Sequence, residues 1–307
     1  MSVRSSIKER IAEWKERRNG VLLVHNYQRA EVQAIADFLG DSLGLSREAA
    51  STEADVIVFC GVHFMAETAS ILSPDKTVLI PDEKAGCPMA DMISADELRG
   101  MKSDHPDAAV VCYVNSTAEV KAESDLCCTS ANAVKIVESI DPDRPVIFVP
   151  DKYLGTWTAR QTGRDLILWE GYCPTHASIT PTDVEKARRE HPDAVVMVHP
   201  ECLPEVAQMA DAVESTSGMC RFAAETDADE ILVGTEIGLI ERLRRENPGK
   251  DFYAVSSAAV CPNMKLHTLE KILWSLEEMQ TEVRVPPDVA EKARRSIEAM
   301  VEVGRSD

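Results

Sequence analysis

The dipeptide Cys-Pro occurs three times in this chain, at Cys87-Pro88, Cys173-Pro174 and Cys261-Pro262, with spacings of 86 and 88 residues. Six further cysteines (Cys60, Cys112, Cys127, Cys128, Cys202 and Cys220) have no proline after them. A fixed long spacing marks an internal repeat, and a repeat constrains the fold before any single motif is read. Other markers return at the same spacings. His105-Pro106-Asp107-Ala108 reappears as His191-Pro192-Asp193-Ala194, Glu119-Val120 as Glu205-Val206, and Asp125 as Asp211. Glu31-Val32 and Asp37 precede Glu119-Val120 and Asp125 in the same way.

Each unit follows one plan. A short apolar run comes first, at Gly20–His25, Ala109–Val114 and Ala194–His199. Helical stretches begin near Glu31, Glu119 and Glu205 and lead to second runs at Val56–Cys60, Val146–Val149 and Ile231–Val233. Third runs follow at Thr77–Pro81, Leu166–Trp169 and Phe252–Val255, with the Cys-Pro just beyond each. Short continuous apolar runs alternating with helices read as buried parallel strands. The expectation is three similar α/β domains, each with a three-stranded parallel sheet between helices, packed with pseudo-threefold symmetry around a central cavity. Their expected extents are 1–104 with an N-terminal helix, 105–190, and 191–307 with two C-terminal helices separated by Pro286-Pro287.

Composition narrows the class. Acidic residues outnumber basic ones by 52 to 33, a formal charge of −19, which argues against nucleic-acid or anionic-membrane partners. No apolar run approaches the roughly 18 residues of a membrane helix. The segment from Met1 to Arg18 is charged and helix-patterned rather than a secretory leader. Nine cysteines are an odd number, so free thiols in a reducing cytoplasm are expected rather than a disulfide framework. Adjacent Cys127 and Cys128 read as structural.

In α/β sheets, ligands bind beyond the carboxyl ends of the strands. The repeat shows what each unit places there. After the first strand stand His25, Tyr113 and His199, and two residues on Tyr27, Asn115 and Glu201. Seventeen positions after the first set come Ser42, Ser130 and Thr216. All nine are polar, and pseudo-threefold packing turns them and the three Cys-Pro cysteines into one cavity. Ser130 and Thr216 precede helical runs and suit helix N-caps, while helix N-termini attract carboxylate and phosphate. Glu201 suits a general base, with burial expected to raise its pKa. Tyr27 and Tyr113 can donate protons, and His25 and His199 can bind an anion or shuttle a proton. His105 and His191 belong to turns. His176, three residues after Cys173, is intermediate, and His63 and Met65 follow a strand end near the cavity. Without a Cys-x-x-Cys pair a zinc ribbon is excluded. Three thiolates from three units leave two options, a zinc with a bound water or a 4Fe–4S cluster with one open iron.

Several segments carry a resemblance: Val24-His25-Asn26-Tyr27-Gln28, Phe59-Cys60-Gly61-Val62-His63-Phe64-Met65-Ala66-Glu67-Thr68, Ala85-Gly86-Cys87-Pro88-Met89-Ala90, Tyr113-Val114-Asn115-Ser116, His199-Pro200-Glu201-Cys202 and Ser215-Thr216-Ser217-Gly218-Met219. From about residue 20 to residue 280 the chain resembles quinolinate synthase, the A protein of bacterial and archaeal NAD biosynthesis. The resemblance implies a triangular three-domain fold and an oxygen-sensitive 4Fe–4S cluster on Cys87, Cys173 and Cys261. It implies condensation of iminoaspartate with dihydroxyacetone phosphate to quinolinate, with release of phosphate and two waters. In that family's terms His25, Ser42, Asn115, Ser130, His199 and Thr216 resemble substrate-binding groups, and Tyr27, Tyr113 and Glu201 the catalytic acid–base set. A transient L-aspartate oxidase or aspartate dehydrogenase partner is implied by the pathway. Some members carry a Cys-x-x-Cys after the third ligand. Here Cys261-Pro262-Asn263-Met264 does not, so a redox switch there is not expected. Diphthamide-type radical enzymes resemble the same three-cysteine plan, but the His-Asn-Tyr and His-Pro-Glu segments do not fit them. A zinc-containing dicarboxylate-binding protein is the alternative from another class.

Overall fold

Twelve short strands form three parallel sheets in the computed structural model, which describes residues 6–303. The first sheet holds β1 Gly20–His25, β2 Phe38–Gly40, β3 Val56–Cys60 and β4 Thr77–Leu79, in the order β2-β1-β3-β4. The second repeats this order with β5 Ala109–Tyr113, β6 Leu126–Cys128, β7 Val146–Val149 and β8 Leu166–Leu168. The third does so with β9 Val195–Val198, β10 Ala212–Val213, β11 Glu230–Gly234 and β12 Asp251–Ala254. β3, β5 and β7 are buried along their whole length, which explains their continuous apolar sequence. Each fully buried Val, Ile, Leu or Phe contributes roughly 1.5–3 kcal/mol through the water it sheds.

The sheets have four strands where the apolar runs predict three. The extra strands β2, β6 and β10 have only two or three residues each, too few for periodicity to register. Their start is nevertheless encoded by the repeated Asp37, Asp125 and Asp211. Each aspartate carboxylate accepts the backbone N–H of the neighbouring first strand, at Leu22 (2.7 Å), Val110 (2.8 Å) and Val196 (2.8 Å). The same three residues donate their own N–H back to the carbonyls of Leu22, Val110 and Val196. This paired clamp locks the edge strand in register against its neighbour.

Helices cover the sheets, and two at the C-terminal side tie units together. The N-terminal helix Ile7–Arg18 opens with a capping box between Ser6 and Glu9. The first five residues of the expected Met1–Arg18 helix lie outside the described residues. Arg18 donates to the carbonyls of Leu276 and Glu277, docking helix Leu269–Glu278 on this helix. Helix Pro287–Glu302 starts at the expected proline breaker and bridges the first two units. Arg47 donates to its Val301 carbonyl, Asn132 to that of Met300, and Ser296 Oγ to the Lys121 carbonyl. No helix among the described residues is long and apolar enough to cross a membrane.

Candidate active site

The carboxyl ends of the three sheets meet around one cavity of about 200 Å³. All nine polar positions picked out by the repeat line it, together with Cys87, Cys173 and Cys261. Met65 lines it too, whereas His63 does not and instead faces Glu67 at 3.6 Å. His105 and His191 end helices on the far side of their units.

The hydroxyls do not cap helices as expected. The caps sit one residue earlier, at Asp41 and Ser215, whose side chains accept from the N–H of Gly44 (2.8 Å) and Gly218 (3.1 Å). In the second unit Thr129 takes the N–H of Ala131 (3.2 Å), and the helix proper begins only at Ala133. Ser42 and Thr216 are therefore first-turn residues, released from capping and turned to the cavity. The preceding position is the true cap because it alone keeps the extended backbone a cap needs.

The imidazoles are oriented by their own backbone. His25 Nδ1 accepts the N–H of Tyr27 (3.2 Å), and His199 Nδ1 accepts that of Glu201 (3.3 Å). An accepting Nδ1 leaves the proton on Nε2, and His199 Nε2 accordingly donates to Ser130 Oγ (3.2 Å). Both rings are neutral near pH 7, since burial lowers His25 to about 4 and His199 to about 3.

Glu201 sits at the centre of a chain that crosses all three units. Its Oε1 accepts from Tyr113 Oη (2.5 Å) and from Asn115 Nδ2 (3.4 Å). Its Oε2 faces His176 Nδ1 at 2.6 Å. His176 Nε2 meets Thr235 Oγ1 (2.9 Å), which in turn meets Tyr27 Oη (2.6 Å). The sequence expectation for Glu201 is corrected here. Burial does push its pKa upward, but His176 and His199 together with the donors His176 and Tyr113 outweigh it and hold the carboxyl below its ordinary range. Burial and the Glu201 charge raise both Tyr27 and Tyr113 well above the usual phenol value, so both remain proton donors.

His176 and Thr235 complete this chain without being marked by the repeat. The positions equivalent to His176, three after each Cys-Pro cysteine, hold Ala90 and Met264, so no threefold signal points to it. Its nearness to Cys173 is the available clue, and its Nδ1 lies 3.2 Å from Cys173 Sγ.

The three thiols share a local geometry. Each begins a turn, and backbone N–H groups two or three residues on face the sulfur: those of Met89 and Ala90 for Cys87, His176 for Cys173, and Asn263 and Met264 for Cys261. Burial pushes Cys87 up to about 12 and raises Cys173 and Cys261 as well, so thiolates there require a cationic centre. Among the described residues, one group of three candidate ligands has all its donor atoms within 4.8 Å of one another: Cys173, His176 and Glu201. The three Cys-Pro sulfurs do not form such a group. They do line the same cavity, and thiolates are the donor type that zinc and iron–sulfur centres take. Asn115 Oδ1 is buried without a hydrogen-bond partner, an acceptor left for a ligand donor. The remaining cysteines stand apart: Cys202 Sγ donates to the Gly234 carbonyl and Cys127 Sγ to Ser296 Oγ.

Fold and site together define an α/β enzyme in which a buried carboxylate, imidazoles, hydroxyls and three thiols converge on one cavity where three repeated units meet. The family model described as Quinolinate synthetase A protein matches residues 9–302. A relative from Dehalococcoides mccartyi named quinolinate synthase is 59% identical over 297 residues, covering 97% of this chain and 98% of its own. Relatives of the same name from Methanoregula boonei and Desulforudis audaxviator are 54% identical over 295 residues and 52% identical over 301. They cover 96% and 98% of this chain, and 97% and 99% of their own. The chain belongs to the quinolinate synthase family.

Proposed function

We propose that the chain condenses iminoaspartate with dihydroxyacetone phosphate to quinolinate, releasing phosphate and two waters, as a step of NAD biosynthesis. The observation that carries this is the bonded chain Tyr113–Glu201–His176–Thr235–Tyr27 inside a cavity also lined by the hydroxyls of Ser42, Ser130 and Thr216. Cys87, Cys173 and Cys261 would hold a 4Fe–4S cluster there. When bound, such a cluster supplies a Lewis-acidic iron at its open corner, without a redox step.

The protein's own groups do the rest. Ser42, Ser130, Thr216 and His25 present neutral donors and bind the phosphate and carboxylates, and His199 orients the Ser130 hydroxyl through its Nε2–H. Donors fixed in place cost no reorganisation when charge develops. Asn115 offers an acceptor as well as its amide. Glu201 is ionised and its two oxygens are occupied by Tyr113 and His176, so it accepts a proton only as one of these donors yields. His176, with Nδ1–H on Glu201 and Nε2 facing the Thr235 and Tyr27 hydroxyls, connects Glu201 to Tyr27. Proton abstraction at one end of the chain is thereby coupled to proton donation at the other, as isomerisation and dehydration require. A local field of helix N-termini and imidazole donors offsets the overall negative charge for entering anions.

The test is anaerobic. Purified protein is analysed for iron, sulfide and zinc and then given both substrates. Bound iron and sulfide with quinolinate formation are expected, and Cys87→Ser, Cys173→Ser or Cys261→Ser each removes the iron while Cys202→Ser retains it. A colourless protein carrying only zinc overturns the iron–sulfur reading. Equal iron in all four variants overturns the ligand assignment.

A further inference from the structure

The Asn26 side chain lies between two residues of the third unit and makes no hydrogen bond to the proton chain. It is fully buried. Arg242 Nη1 donates to Asn26 Oδ1 at 2.7 Å, and Asn26 Nδ2 donates to Thr216 Oγ1 at 2.8 Å. Arg242 is itself fixed, donating to the Leu39 carbonyl (3.1 Å) and pairing with Glu246 (2.8 Å). The Asn26 backbone is held as well, its N–H on the Gly40 carbonyl and its carbonyl on Gln33 Nε2.

The order of donors leaves no freedom. A guanidinium has only donors, so the amide oxygen must face Arg242 and the amide NH₂ must face Thr216. A hydroxyl that accepts from an amide N–H turns its own proton elsewhere. Thr216 lines the cavity, and among the described residues no protein group accepts that proton. Ser130 is set by the same logic, since the Nε2–H of His199 occupies its acceptor side.

We propose that Arg242 and Asn26 are positioning residues that make Thr216 a one-way donor toward an anionic ligand group. Neither touches the cavity's occupant. They act through the direction of one O–H bond, and so discriminate carboxylate or phosphate, which only accept, from a neutral group that also donates. The inference rests on the anion-binding reading of the cavity given above.

Asn26→Asp tests it with almost no change in shape. The carboxylate still satisfies Arg242, but toward Thr216 it can only accept, and it draws the hydroxyl proton away from the cavity. Quinolinate is titrated calorimetrically into anaerobic, iron-loaded protein for the parent, Asn26→Asp, Thr216→Val and the double variant. Loss of a hydrogen bond to a charged ligand group predicts a fall in affinity of about ten- to a hundredfold for Asn26→Asp. In the Thr216→Val background the Asn26→Asp effect should shrink to less than half of its logarithm, because the hydroxyl it redirects is gone. An equal effect in both backgrounds means that added charge alone is responsible, and overturns the proposal. An unchanged affinity in Asn26→Asp also overturns it. If the parent itself binds no quinolinate, the anion-cavity reading fails instead. Iron content and melting temperature monitor folding. Should Asn26→Asp lose iron, Arg242→Met, which frees the amide to turn over, carries the same cycle with the same two refuting outcomes.

Discussion

Replacing Glu201 by Gln keeps the size and shape of the side chain and removes its charge and one acceptor. In the native site two oxygens serve three donors: Tyr113 Oη and Asn115 Nδ2 on Oε1, and His176 Nδ1 across from Oε2. Glutamine has one oxygen. If it keeps Tyr113 and Asn115, its NH₂ points at His176 Nδ1, donor against donor. The imidazole must then move its proton to Nε2, where it meets Thr235 and Tyr27 from the wrong side. One charge-assisted bond is lost, at roughly 1.5–3 kcal/mol, and one buried group is mispaired, at roughly 1–3 kcal/mol. Expressed as a barrier, that total is on the order of a 10²–10⁴-fold loss of rate, the size expected for a removed acid–base group. The assay is anaerobic quinolinate formation from both substrates, with iron content measured on the same sample. Iron should stay at the parent level, because Glu201 is not among the three thiol ligands. Turnover within tenfold of the parent at equal iron would refute the assignment of proton handling to Glu201.

Two further outcomes follow from the same geometry. Ser215→Ala removes the true helix cap and should lower unfolding free energy by about 1 kcal/mol, with dicarboxylate affinity unchanged. Thr216→Val should do the reverse, and chemical denaturation alongside ligand titration separates the two. Burial lowers His25 from 6.5 to about 4, so the folded state binds its proton later than the unfolded chain does. Its contribution is therefore complete above pH 6.5 and is lost as pH falls toward 4, at most about 3 kcal/mol. Denaturant midpoints at pH 7 and pH 5 should converge in His25→Gln relative to the parent, and an identical pH slope would show that His25 is not the group responsible.

The three-unit plan is legible because it is written three times. A single Glu119-Val120 or Asp125 says little, but their recurrence locates the first strands and the helices that follow. Six cavity positions come from those strand ends, and three more from the fixed offset of seventeen residues beyond them. What escapes lies in features that repetition does not mark or that are shorter than a period. The strands at Phe38, Leu126 and Ala212 are brief edge pieces, announced only by an aspartate whose clamping role needs the neighbouring strand to be seen. In the first and third units the cap lies one residue earlier, since Asp-Ser and Ser-Thr each offer two eligible side chains, and in the second the helix starts beyond Ser130 altogether. His176 stays ambiguous in sequence because the other two units have apolar residues at its position. The ionisation of Glu201 has the opposite sign to the one burial alone predicts. Burial can be guessed from sequence, but the imidazole that outweighs it comes from a different unit.

Helix Pro287–Glu302 has a consequence for the order of assembly. It is the last described element to leave the ribosome, yet its contacts are with Arg47 of the first unit and with Lys121, Cys127 and Asn132 of the second. While the third unit is still being made, the seam between those two units is held only by direct bonds such as those from Lys121 to Phe64 and Thr68, without the helix that covers it. Cys87 and Cys173 lie on opposite sides of that seam, and Cys261 arrives only with the third unit. The ring around the cavity is therefore completed late in biosynthesis, only after all three thiols have been made.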